Sequence, residues 1–134
     1  MAKIELENET AGLGTSYQGM YEPKKDSFEK TVAKLITLYG INNVLVMSPG
    51  EKSSVDVTLR MSDREGNLLF TLYDWKCDHT LHIGGTDFTQ HDLDRIKVAL
   101  DSTLKDTIPT EYYHVADYDG AELDYGYSKG ERKC

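Results

Sequence analysis

The sequence predicts an α+β two-layer sandwich, an antiparallel sheet of four or five strands with two helices on one face. Three observations predict it. Val55, Val57, Leu59 and Met61 alternate with Asp56, Thr58 and Arg60, the period of a half-buried strand. Two other segments carry a single apolar stripe at helical spacing. The strand-like runs follow one another through short turn sequences, which favours antiparallel pairing over crossover connections.

Taken in order, Ile4 and Leu6 alternate well enough for an edge strand. The run GLGTSYQG at residues 12–19 holds three glycines but lacks the lysine–hydroxyl pair that closes a phosphate-binding loop, so it reads as a bent strand. Asp26 is placed to cap a helix, with Glu29 three residues on and Gly40 where the helix should stop. Phe28, Val32, Leu35, Ile36 and Tyr39 form its stripe, and its lysines fall on the remaining surface. An apolar run from Val44 to Met47 ends in the turn residues Ser48, Pro49 and Gly50. The alternating strand follows, then the hairpin loop DREGN at residues 63–67 and a returning strand from Leu68 to Trp75. A short strand from Thr80 to Ile83 comes after the turn around Cys77 and Asp78. Thr89 opens the second helix with Asp92 in the capping-box position, and Leu93, Ile96, Leu100 and Leu104 share one face.

With both helices on one side, alternation assigns the other sheet face Asp56, Thr58, Arg60, Thr71, Tyr73, Trp75 and His82. The run LLF at residues 68–70 leaves that parity open by one residue, and Trp75 reads equally well as core or surface. If exposed, Tyr73, Trp75 and His82 make a platform for a partner or a planar small molecule.

The division expected is one α+β domain over residues 1–108 and an acidic, tyrosine-rich C-terminal tail over 109–134. Within EYYHVADYDGAELDY at residues 111–125 stand five carboxylates, four tyrosines and no lysine or arginine. Few aliphatic side chains are present to order it, so alone it should be loose, yet tyrosine suits a contact segment.

Charge narrows the function. The 134-residue chain has 15 basic and 23 acidic side chains, a formal −8, which repels phosphate backbones and makes a basic protein the better partner. The expectation is no direct nucleic acid and no membrane, since no apolar run is long enough for a bilayer span. A cytoplasmic location is expected, with Cys77 and Cys134 as free thiols, in a monomer or homodimer.

The chemical motifs are thin. Cys77, His79 and His82 resemble half a zinc site that His91 or His114 would have to complete, but a second ligand pair is missing and no metal or cofactor is expected. Cys77 with a neighbouring histidine is the material of a nucleophile and base, although such pairs are defined in space. Gly84 and Gly85 read either as an anion-binding nest or as a turn ending a strand.

The turn YDWK at Tyr73 to Lys76, followed by LHIGG at Leu81 to Gly85, resembles a pattern of small bacteriophage proteins. In those a glycine-rich first strand, a glycine-terminated helix, a hairpin, a YD-aromatic-K turn and a WHIGG strand come in this order, with Leu81 here in place of that tryptophan. The resemblance covers Gly12 to about Leu100 and implies a phage accessory protein, with no activity attached. Such proteins act by binding. The expectation is therefore a non-enzymatic inhibitor of a host defence nuclease, for example an anti-CRISPR protein, that mimics nucleic-acid charge. Glu111, Asp117, Asp119, Glu122 and Asp124 would meet the basic groups of a host nucleic-acid-binding protein. Tyr112, Tyr113, Tyr118 and Tyr125 would anchor the contact. The alternatives are a binder of a small molecule or nucleotide signal at Tyr73, Trp75 and His82, or a small enzyme using Cys77 and His82.

Overall fold

Val57, Leu59 and Met61 alternate inward along β3 (Asp56–Asp63), each within 1% of complete burial, and this sets the parity of the whole sheet. A computed structural model describes residues 2–7, 16–46, 53–75, 78–109, 113–116 and 122–125, the last two segments as backbone. β4 (Gly66–Tyr73) pairs antiparallel with β3 through the two-residue loop Arg64 and Glu65, with Asp63 opposite Gly66. Gly66 takes a φ of 122°, a conformation that a side chain would strain, which fixes the hairpin where the sequence placed it. β1 (Lys3–Leu6) adds to the far edge of β3, and β5 (Leu81–Gly85) to β4. β2 (Ser16–Tyr21) closes the other edge against β5, with a bulge at Gln18. The five strands run in the order β1-β3-β4-β5-β2, antiparallel throughout.

Phe70, Leu72, Leu81 and Ile83 join the inward residues of β3 beneath two helices. α1 (Phe28–Tyr39) brings Val32, Leu35 and Ile36 to this core, and α3 (Gln90–Lys105) brings Leu93, Ile96, Leu100 and Leu104. Each such fully buried side chain contributes roughly 1.5–3 kcal/mol. The two-layer α+β sandwich is as the periodicities require. A four-residue helix, α2 (Ile41–Val44), follows Gly40 directly, and Leu45 bridges to Val55.

The helix ends correct two expectations. Ser27, not Asp26, caps α1, its hydroxyl accepting the Lys30 N–H. Asp26 instead takes the Lys34 ammonium at 2.6 Å and Lys30 at 3.5 Å. Lys34 is consequently not on the outer surface. It is 6% exposed and donates to the Leu104 carbonyl at 2.9 Å, adding to the backbone N–H groups that this carbonyl already accepts at the end of α3. The capping box of Thr89 and Asp92 is present in both directions at the start of α3. At the same end Arg95 grips Asp63 with two nitrogens and reaches the Gly66 carbonyl, tying α3 to the β3–β4 turn.

Beyond Pro109, β6 (Tyr113–Ala116) and β7 (Glu122–Tyr125) pair as a separate antiparallel hairpin, with β7 running beside α1. The segment expected to be loose on its own is thus given a paired backbone over those residues. Among the described residues no helix is long and apolar enough to cross a membrane.

Candidate functional site on the open sheet face

The face opposite the helices carries Asp56, Thr58 and Arg60 from β3, Thr71 and Tyr73 from β4, and His82 from β5, which resolves the parity left open by the LLF run. The ladder sets Tyr73 directly across from His82, and their rings stack with centroids 5.3 Å apart and planes 23° from parallel. Tyr17, opposite Gly84 on β2, closes the group edge-on to His82 at 5.6 Å and 66°. A tyrosine from the glycine-rich run therefore belongs to the site, and sequence reasoning had passed it over.

Gly84 makes the stack possible. A Cβ there would sit 2.3 Å from the Thr71 hydroxyl, which would have to move, and 3.2 Å from Cε1 of Tyr73, which would have to give by a few tenths of an ångström. Gly84 and Gly85 are the last two residues of β5, as the reading of a pair ending a strand has it, and neither takes the positive φ of an anion-binding nest.

The imidazole of His82 is aimed by the turn before it. Its Nε2 lies 2.6 Å from Oδ2 of Asp78 and 3.1 Å from the Thr80 hydroxyl. The other oxygen of Asp78 accepts the backbone N–H groups of Thr80 at 3.1 Å and Trp75 at 3.4 Å. Partial burial works against ionisation of Asp78, but the hydrogen bonds from His82, Thr80 and Trp75 outweigh it and hold the carboxyl below its ordinary range. Burial raises the Tyr73 phenol, and the charges of Tyr17, Asp56 and Asp78 add to the effect. Tyr73 thus stays a neutral hydrogen-bond donor at physiological pH.

A histidine held by an aspartate is half of a general-base arrangement, but the described residues do not complete it. In a relay the carboxylate and the nucleophile occupy opposite ring nitrogens. Here Asp78 and Thr80 both face Nε2. Cys77, the nucleophile that the sequence offered, lies outside the described residues, as does Cys134.

The histidines near the turn diverge. His79 adopts a left-handed φ of 57°, stacks on Phe28 at 5.6 Å and points Nδ1 towards Glu29 at 3.5 Å, so it docks the turn on the start of α1. His91 pairs with Glu65 on the other side of the hairpin loop. Among the described residues no three histidine, cysteine or acidic side chains converge on a metal position.

Trp75 is 45% exposed and Tyr17 56%, which settles the tryptophan as a surface residue. Its neighbour Asp74 is the opposite case, fully buried. Its Oδ1 accepts the N–H groups of Ser54 at 2.7 Å and Val55 at 2.9 Å, so the aspartate of YDWK fastens the start of β3 to the end of β4. The Ser53 hydroxyl donates to the Asp74 carbonyl beside it.

Of the tail residues, Glu111, Tyr112, Asp117, Tyr118 and Asp119 lie outside the described residues. Tyr113 is registered opposite Tyr125, His114 opposite Asp124, and Ala116 opposite Glu122. Positions 122 and 124 therefore share one face of the hairpin, and positions 113 and 125 the other. Compared with protein-family models, with curated proteins and with solved structures, the chain matches none of the three.

Proposed function

We propose that the chain acts by binding: a small acidic accessory protein of phage type that occupies the basic nucleic-acid-binding surface of a host defence nuclease, such as a CRISPR effector. The observation that carries this reading is the exposed Tyr17 against the Tyr73–His82 stack, with Asp56 across from Tyr73 and Asp78 on His82, and the exposed Trp75 two residues beyond Tyr73. Tyrosine and tryptophan are the side chains that anchor interfaces, and arginine of a basic partner stacks on such rings while pairing with the carboxylates beside them. The formal −8 of the chain steers that partner in. The tail, whose β7 runs beside α1, adds a second set of contacts through Glu111, Asp117, Asp119, Glu122 and Asp124 with Tyr112, Tyr113, Tyr118 and Tyr125.

The test is cleavage of target DNA by guide-loaded nucleases with and without the protein, at low and high salt. Inhibition that fades steeply as salt rises supports the reading. So does its loss when the five tail carboxylates are replaced by their amides in the full chain, or when the chain is cut after Ile108. Inhibition untouched by both salt and these changes contradicts it.

A second reading, a protein that sequesters a planar small molecule or nucleotide signal, is favoured by the near-parallel stack of Tyr73 on His82 beside the exposed rings of Tyr17 and Trp75, side chains of the kind on which planar ligands stack. Binding of that kind would persist at high salt.

A further inference from the structure

On the helical side of the sheet, away from the open face, a cleft of about 600 Å³ lies between the end of β2, the first turns of α1 and the last turns of α3. Its charge runs against that of the chain. Lys24, Lys25, Lys34 and Lys105 line it, against the two carboxylates Asp26 and Asp101. Lys34 is buried and committed to Asp26 and the Leu104 carbonyl, and Lys24 stands 3.8 Å from Asp101. Lys25 and Lys105 have no hydrogen bond or ion pair among the described residues. Among the described residues, two ammonium groups on the walls of one cleft thus have no carboxylate at ion-pair distance, inside a protein of net charge −8. An anion there relieves their mutual repulsion.

The rest of the lining says which kind. Asp101 already accepts the Tyr21 hydroxyl at 2.8 Å, leaving carboxylate lone pairs for further donors, and the hydroxyls of Thr31 and Ser102 stand on the same walls. Lysines bind phosphate as point charges, whereas aspartates accept hydroxyl groups and repel a polyanion. The volume lies within the roughly 300–1,000 Å³ typical of small-molecule sites. We infer that this cleft binds the phosphate monoester of a small hydroxylated molecule, of sugar-phosphate or mononucleotide size, with Lys25 and Lys105 on the phosphate and Asp26 and Asp101 on the hydroxyls. This site is separate from the aromatic group of the open sheet face proposed above.

The experiment is an amide-resolved NMR titration of the full chain with ribose 5-phosphate, AMP, adenosine and inorganic phosphate. Ribose 5-phosphate or AMP should shift the amides of residues 21–34 and 101–105 saturably, at least ~10-fold more tightly than inorganic phosphate, with adenosine weaker still. The double variant Lys25→Ala/Lys105→Ala removes two exposed, unpaired side chains, so it should keep the wild-type melting temperature while weakening the better phosphate ester by ~10-fold or more. Absence of saturable shifts for both esters up to about 10 mM overturns the inference. Equal affinity for inorganic phosphate, or unchanged ester binding in the double variant, overturns it as well.

Discussion

Tyr73 and His82 face each other across the β4–β5 ladder with their rings nearly parallel, and Gly84 is the residue that leaves Tyr73 room to lie there. Replacing Gly84 by alanine should therefore cost stability through overpacking, about 1–3 kcal/mol, without any penalty from an unusual backbone angle. Urea denaturation reads the stability. The ring-current shift of the His82 protons reads the stack, which should weaken in the same variant.

Asp74 should behave as a structural acceptor. In Asp74→Ala two backbone N–H groups at the start of β3 lose their partner, and destabilisation of about 3 kcal/mol is expected. Asp74→Asn keeps an oxygen in place but not the charge, and should cost about half as much. Equilibrium unfolding of the two variants distinguishes these values from the small effect of an ordinary surface substitution.

Lys34 and Asp26 form a largely buried pair that also serves the end of α3. Lys34→Ala leaves the Asp26 carboxylate and the Leu104 carbonyl without their shared donor, which should cost about 3 kcal/mol or more. Lys34→Met fills the space and should cost less. In a double-mutant cycle with Asp26→Asn the two losses should fail to add, and strict additivity would show that the pair is not coupled.

Acid should destabilise the fold from about pH 4 downward. The bidentate Arg95 guanidinium beside Asp63 holds its carboxyl down to about 2. Asp26 also sits below its ordinary value, since Lys34 and Lys30 outweigh the opposing effect of burial. A carboxyl whose folded pKa is depressed contributes stability above its unfolded pKa of about 3.9, and that stability is lost as pH falls through the folded value. Melting temperatures between pH 5 and pH 2 should fall less steeply in Asp63→Asn than in the wild type. His91 acts in the other direction. Its hydrogen bond to Glu65 raises its pKa, so its contribution is full below about 6.5 and is lost as pH rises through the raised value. His91→Gln should remove that loss.

The legible part of the fold was the part governed by period and caps. Val57 to Met61, the stripe of α3 and the Thr89–Asp92 box follow from residue spacing alone, because each is a local pattern that tertiary packing only reinforces. Asp26 misled because an acidic residue before an apolar stripe fits a cap and an ion pair equally, and only the docking of α3 decides between them. Asp74 could have been found: it stands at the inward parity position after Phe70 and Leu72, where a carboxylate needs buried donors. Tyr17 could not, because the bulge at Gln18 breaks the alternation that would have placed it. The turn histidines were near one another in sequence, yet the left-handed backbone at His79 sends them apart. The tail carboxylates are a matter of composition, and the register of β6 and β7 adds only which positions share a side.

The central claim, that the aromatic group of the open face docks a basic nucleic-acid-binding partner, is tested most directly by the double variant Tyr17→Ala/Trp75→Ala in the nuclease cleavage assay. Neither side chain belongs to the buried core, Tyr17 being 56% and Trp75 45% exposed, so the variant should stay folded. The account predicts inhibition by the wild-type chain at near-stoichiometric amounts, and a potency at least ~10-fold lower in the variant, the scale of losing two interface anchors. Equal potency of the two proteins, or cleavage by every nuclease tested proceeding undiminished with the wild-type chain present, would contradict it.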